Sequence, residues 1–164
     1  MQLTTLADLE QAQQRLRGLA RRTPLLPFDL PELGTERVYL KPESLQPIGS
    51  FKIRGAGNRI MALSAEERGR GVLAYSSGNH AQGVAYAARQ LGLRATIIMP
   101  TNAPQVKIDA TRALGAEVIL YDPAHEKREA VAARLLAGAA APPVLVPPFD
   151  DAYVIAGQGT VGLE

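Results

Sequence analysis

The 164-residue chain has no cysteine, no tryptophan and only two histidines. The missing cysteines exclude disulfides, thiolate metal sites and a cysteine nucleophile, and two histidines are too few for a histidine-based metal centre. Aromatic residues make up 5% of the chain, and 18 Lys plus Arg stand against 16 Asp plus Glu for a net charge of +2. Base stacking and a broad basic field are both poorly supplied, so nucleic acid is not an expected partner. No apolar run approaches the roughly 20 residues that span a bilayer. The stretch 1–22 carries Asp8 and Glu10 where a signal peptide needs an apolar centre. The expectation is an untargeted, cytoplasmic chain without a membrane partner. The 46% hydrophobic and 21% charged residues are ordinary globular composition, enough chain for one domain with a sizeable core.

Lysine is scarce as well. Of the 18 basic residues 14 are arginine, leaving Lys41, Lys52, Lys107 and Lys127. Lys107 and Lys127 sit among polar neighbours in helical patterns and read as solvated surface charges. Lys52 does not fit that description.

The first element reads as a helix with Leu6, Leu9, Leu16 and Leu19 on one stripe and Thr5 as its cap. Arg15, Arg17, Arg21 and Arg22 gather at its C-terminal end, where cations are favourable. Thr23-Pro24 and 27–34 read as turns, and Arg37 to Lys41 as a strand closed by Pro42. Alternation follows. Helices are predicted over 50–63, 82–91, 103–114 and 124–136, and strands over 71–75, 94–99, 117–121 and 144–146. Short apolar runs separated by amphipathic helices are the pattern of βαβ units around a parallel sheet. The fold class is α/β: an open, mostly parallel sheet with flanking helices. The chain stops two residues after Gly162, inside what the pattern makes the first turns of a helix, and so reads as truncated.

Lys52 lies in Gly49-Ser50-Phe51-Lys52-Ile53-Arg54-Gly55-Ala56. With Ser50 as N-cap, Lys52 falls in the first helical turn, where the macrodipole disfavours a cation by roughly 0.3–1 kcal/mol. That is less than about one pKa unit, so burial must supply most of any useful shift toward a neutral amine. One reading is an exposed lysine in a frayed turn. The other is an amine that condenses with an aldehyde, whose commonest enzymatic use is to hold pyridoxal phosphate.

Directly after the strand 71–75 comes Ser76-Ser77-Gly78-Asn79-His80-Ala81-Gln82-Gly83. Small hydroxyl residues, a glycine and an amide at a strand-to-helix junction make a ready anion site at the edge where open parallel sheets bind ligands. The same residues could simply cap the next helix. His80 reads as a supporting hydrogen bonder rather than a catalyst.

Together the two segments resemble the fold-type II pyridoxal phosphate-dependent enzymes, in the threonine/serine dehydratase and serine racemase branch. Arg22-Thr23-Pro24-Leu25, Leu40-Lys41 and 155–160 add to a likeness that runs along nearly the whole chain. The resemblance implies that Lys52 carries pyridoxal 5'-phosphate as a Schiff base, that Phe51 packs beside the cofactor and that Asn79 hydrogen-bonds its phenolic oxygen. It implies too that Ser76, Ser77, Gly78, Asn79 and His80 form the loop that grips the substrate carboxylate. The implied reaction is β-elimination from a hydroxy amino acid such as threonine or serine, giving a 2-oxo acid and ammonia, with no metal held by these residues. Ser77 keeps open a racemase, in which a serine delivers a proton to the opposite face.

By the same likeness, 71–149 would form a small α/β domain, and 1–70 with 150–164 an incomplete large domain. A homo-dimer is implied for family members, which are about twice this length. The second half would be missing here, and the chain alone is expected to lack turnover. Two rivals remain. Gly157-Gln158-Gly159-Thr160-Val161-Gly162 fits the G-x-G-x-x-G dinucleotide fingerprint, but no acidic residue follows about 20 positions on, and a glycine-rich helix start is the simpler reading. A non-catalytic fragment that binds a ligand or partner is the other.

Overall fold

The computed structural model describes residues 3–29, 32, 34 and 37–164. Helix α1 (Leu6–Arg15) opens on a capping box, in which the Thr5 and Asp8 side chains each bond the other's backbone N–H. Of its expected stripe, Leu16 and Leu19 are buried just past the helix, whereas Leu6 is exposed. Strands β1 (Leu26–Phe28) and β2 (Val38–Leu40) pair antiparallel, with Pro27 opposite Tyr39. The expected turn over 27–34 therefore begins as a strand, and the rest of it lies partly outside the described residues. Proline lacks an N–H to donate, but a two-stranded ribbon has only edge strands, where that loss is tolerated.

Helices α2 (Lys52–Met61) and α3 (Ala65–Arg70) lead into the main sheet. Its four strands are β3 (Val72–Tyr75), β4 (Ala95–Pro100), β5 (Glu117–Tyr121) and β6 (Val144–Leu145), all parallel and ordered β5-β4-β3-β6. Helices α4 (Asn79–Gln90), α5 (Gln105–Ala113) and α6 (Arg128–Ala137) connect them, and α7 (Ala152–Gly159) follows β6. The expected α/β class and parallel sheet are present.

The two faces of the sheet are read from strand alternation. Val72, Ala74, Ile97 and Met99 point into the larger core, with Ile53, Ala56 and Ile60 of α2 and Val84, Ala85 and Ala88 of α4. Leu73 and Ile98, one residue out of phase, pack against Val131 and Ala132 of α6 on the other side.

Gly157 and Gly159 end helix α7, which runs on into a 3-10 turn over Thr160–Leu163. They do not start a helix after a strand, so the dinucleotide fingerprint has no structural counterpart. Instead Gly157 lets α7 approach α2. A Cβ at this position would lie 2.8 Å from Asn58 Cβ and 2.9 Å from the Arg54 carbonyl carbon, and would collide with the Arg54 carbonyl oxygen.

Candidate active site

Strand order places the site. From β3 the chain steps outward to β4 and β5, then returns to add β6 on the opposite side of β3. The C-terminal ends of β3 and β6 therefore flank a topological switch point, the crevice where open α/β sheets bind ligands. Ser76–Gly78 leave the end of β3, and Val146–Pro148 leave the end of β6.

Lys52 reaches this crevice. Its Nζ donates to the Pro148 carbonyl oxygen at 3.1 Å and stands 5.3 Å from the centre of the half-exposed Phe51 ring. Burial holds the Lys52 amine below the usual lysine range, which raises the share of nucleophilic neutral amine at neutral pH. The helix start differs slightly from expectation: Phe51 occupies the N-cap position, and the Ser50 hydroxyl accepts from the Lys52 backbone N–H at 3.2 Å.

Helix α4 starts three residues earlier than the sequence pattern predicts, so Asn79 and His80 are its first two residues and the loop is only Ser76–Gly78. Glycine at 78 and a helix beginning at once leave the first N–H groups of α4 without intrahelical partners, the arrangement that favours an anion. Ser77 and Asn79 are exposed; Ser76 and Gly78 are half-buried. The helix is set directly against the lysine, because a Cβ at Gly83 would come within 3.1 Å of the Lys52 carbonyl oxygen.

The His80 ring turns inward. It is 3% exposed, its Nε2 donates to the Val146 carbonyl oxygen at 3.0 Å, and its buried Nδ1 has no partner among the described residues. Burial first, opposed by the Val146 bond and reinforced by the nearby Lys52 charge, pushes its pKa down to about 4. The ring is thus a neutral hydrogen bonder, and any contribution of His80 to carboxylate binding is left to its backbone. Lys107, the expected surface charge in the first turn of α5, makes an exposed contact with its Nζ 3.5 Å from Asn79 Oδ1. Periodicity has no means of bringing α5 beside α4.

A second group escaped the sequence reading. Arg54, two residues after Lys52, is 1% exposed and bonds both oxygens of Glu43 (2.7 and 2.8 Å) and both oxygens of Glu164 (2.7 and 3.0 Å). Lys41 Nζ joins at 2.6 Å from Glu164. Paired buried charges of this kind anchor α2, and with it Lys52, to the 3-10 turn Glu43–Leu45 that follows β2 and to Glu164. Their long sequence separations leave no local signal.

The residues fit an aldehyde cofactor bearing an anionic group: a half-buried amine of lowered basicity, a flanking aromatic ring, an exposed amide and a helix N-terminus share one sheet edge. Among the described residues no group of three or more His, Asp or Glu is placed to hold a metal. Nor is any helix there long and apolar enough to cross a membrane.

Residues 16–164 match the profile of the pyridoxal-phosphate dependent enzymes. The chain belongs to that family. Its relatives place it in the fold-type II branch of threonine dehydratases and serine racemases. It is 51% identical over 163 residues to an L-threonine ammonia-lyase of Thermotoga maritima, covering 99% of this chain and 40% of that protein. It is 46% identical to an L-threo-3-hydroxyaspartate ammonia-lyase of a Pseudomonas species, covering 100% of this chain and 51% of the relative. Among solved structures, serine racemase of Dictyostelium discoideum superposes with a TM-score of 0.90 at 38% identity, over 98% of this chain and 52% of that one. The family member described here thus spans about half the length of the relatives it matches.

Proposed function

We propose that this chain carries the lysine and the substrate loop of a pyridoxal phosphate-dependent ammonia-lyase acting on a hydroxy amino acid such as threonine or serine. The observation that carries the proposal is the half-buried Lys52 amine at the switch point, on a residue whose backbone packs against the helix that begins with Asn79. When bound, pyridoxal 5'-phosphate supplies an electron-withdrawing ring that takes up negative charge from the substrate's α-carbon.

Each residue then has a task. Lys52 would hold the cofactor's aldehyde through its amine, and with a substrate seated in the crevice the same Nζ would accept the α-proton. The Pro148 carbonyl keeps that amine oriented between steps. Phe51 would cover the cofactor, and the Asn79 amide would bond its ring oxygen. Ser76, Ser77 and the N–H groups at the start of α4 receive the substrate carboxylate, with the His80 backbone completing the turn. In this proposal 71–149 form the smaller domain that closes on 1–70 and 150–164.

The test is covalent. Borohydride reduction of the protein incubated with pyridoxal 5'-phosphate, followed by peptide mapping, is expected to place the adduct on Lys52. Label confined to other lysines, or absent altogether, overturns the reading and favours a non-catalytic binding fragment. A racemase reading is favoured at one position: Ser77 is an exposed hydroxyl in the loop, able to present a proton. If Ser77→Ala leaves the ratio of racemisation to elimination unchanged in an enzyme carrying this segment, that second reading fails.

A further inference from the structure

We propose that His80 is a positioning residue for the Lys52 amine, acting through the segment Val146-Pro147-Pro148. Its value to catalysis rests on the reading of Lys52 given above.

The contacts form a closed circuit. The Lys52 backbone packs against α4 at Gly83. One turn back along α4, the His80 ring donates Nε2–H to the Val146 carbonyl oxygen at 3.0 Å. Val146 is 0% exposed and its own N–H donates to Leu73 at 2.8 Å, so both its backbone polar groups are held, one by β3 and one by α4. Two prolines follow. Each has φ locked near −65°, and each restricts the residue before it, so the orientation of Val146 sets where the Pro148 backbone sits. The Pro148 carbonyl receives Lys52 Nζ at 3.1 Å. A flexible pair in place of Pro147-Pro148 would dissipate the constraint.

The cost of the arrangement argues for its use. Among the described residues the buried imidazole keeps one ring bond, the one to Val146, and its Nδ1 has no partner. Buried polar atoms are normally satisfied. A ring that merely filled space could be apolar. Because the ring is neutral, it steers the lysine without adding a second positive charge beside it.

The test needs no cofactor. Trace acylation of the purified chain with acetic anhydride, read by peptide mass spectrometry against Lys127 as internal reference, reports the state of the Lys52 amine. His80→Phe keeps the ring shape and removes the donor. It is expected to change Lys52 reactivity by about five-fold, the equivalent of one neutral hydrogen bond. His80→Gln, which restores an N–H donor of similar reach, is expected to return it toward wild type. Pro147→Gly leaves the ring in place and loosens the lever, and should shift Lys52 in the same way; it carries the test alone if His80→Phe does not fold. Unchanged Lys52 reactivity in the folded variants overturns the inference. Failure of pyridoxal phosphate to label Lys52 in the wild type overturns the proposed function instead, and leaves the positioning result standing.

Discussion

Replacing Gly157 by alanine isolates the contact between α7 and α2. The new Cβ would stand 2.8 Å from Asn58 Cβ and 2.9 Å from the Arg54 carbonyl carbon, and nearer still to the Arg54 carbonyl oxygen. Carbon atoms rest about 3.5–4.0 Å apart, so the helices must part by roughly 1 Å. The obstacle is backbone, so no rotamer change relieves it, and overpacking of this kind costs about 1–3 kcal/mol. Alanine returns about 1 kcal/mol of helix propensity, which leaves a net loss of about 1–2 kcal/mol if the packing cost lies toward its upper end. For a chain of this size that lowers Tm by roughly 2–8 °C. Gly69 in α3 is the control, since a Cβ there meets nothing within 4 Å. Gly69→Ala is expected to raise stability by about 0.4–1 kcal/mol. Both variants would be followed by thermal and urea unfolding. If Gly157→Ala melts above wild type, as Gly69→Ala is expected to, the close helix approach is refuted.

Acid should unfold the protein in two stages. His80 has its folded pKa pushed from 6.5 down to about 4, so the unfolded chain binds the extra proton first and stability falls as pH drops through that window. Glu43 and Glu164 are raised by burial but held below their ordinary 4.5 by the outweighing hydrogen bonds, chiefly from Arg54. Their contribution is complete above 4.5 and is lost below it. A Tm-against-pH profile is expected to lose its upper limb in His80→Gln and to flatten below 4.5 in Glu43→Gln; an unchanged profile in both contradicts the burial described. Arg54→Met leaves two carboxylates facing each other, and a loss of about 3–5 kcal/mol in urea unfolding is expected. A loss under about 1 kcal/mol would mean that the network is solvated. Finally, the rate of pyridoxal phosphate labelling at Lys52 should reach half its maximum at lower pH than that of free lysine, because burial depresses its pKa; a coincident or higher midpoint counts against the site.

Local patterns disclosed much of this molecule. Strand β5 occupies the predicted 117–121, and the lysine and serine-rich motifs lie at the ends of elements as their residue types required. The errors have specific causes. Pro27 masked β1, because proline signals a turn unless a strand has only edges. Gly78 looks like the middle of a loop that takes in Asn79 and His80, whereas it immediately precedes the helix. The crevice itself depends on β6 returning beside β3, an order that no local pattern encodes. Arg54, Glu43 and Glu164, and the nearness of Lys107 to Asn79, are tertiary facts of the same kind.

The clasp on Arg54 also has a temporal side. Glu164 meets Arg54 across 110 positions of sequence. Glu43 lies only 11 positions from Arg54 and closes a short loop, whereas Glu164 must be brought back over the whole of the parallel sheet. Contacts so distant along the chain close late. Glu43 therefore half-neutralises the guanidinium first, and the helix that carries Lys52 gains its second clasp only after the sheet between them has formed.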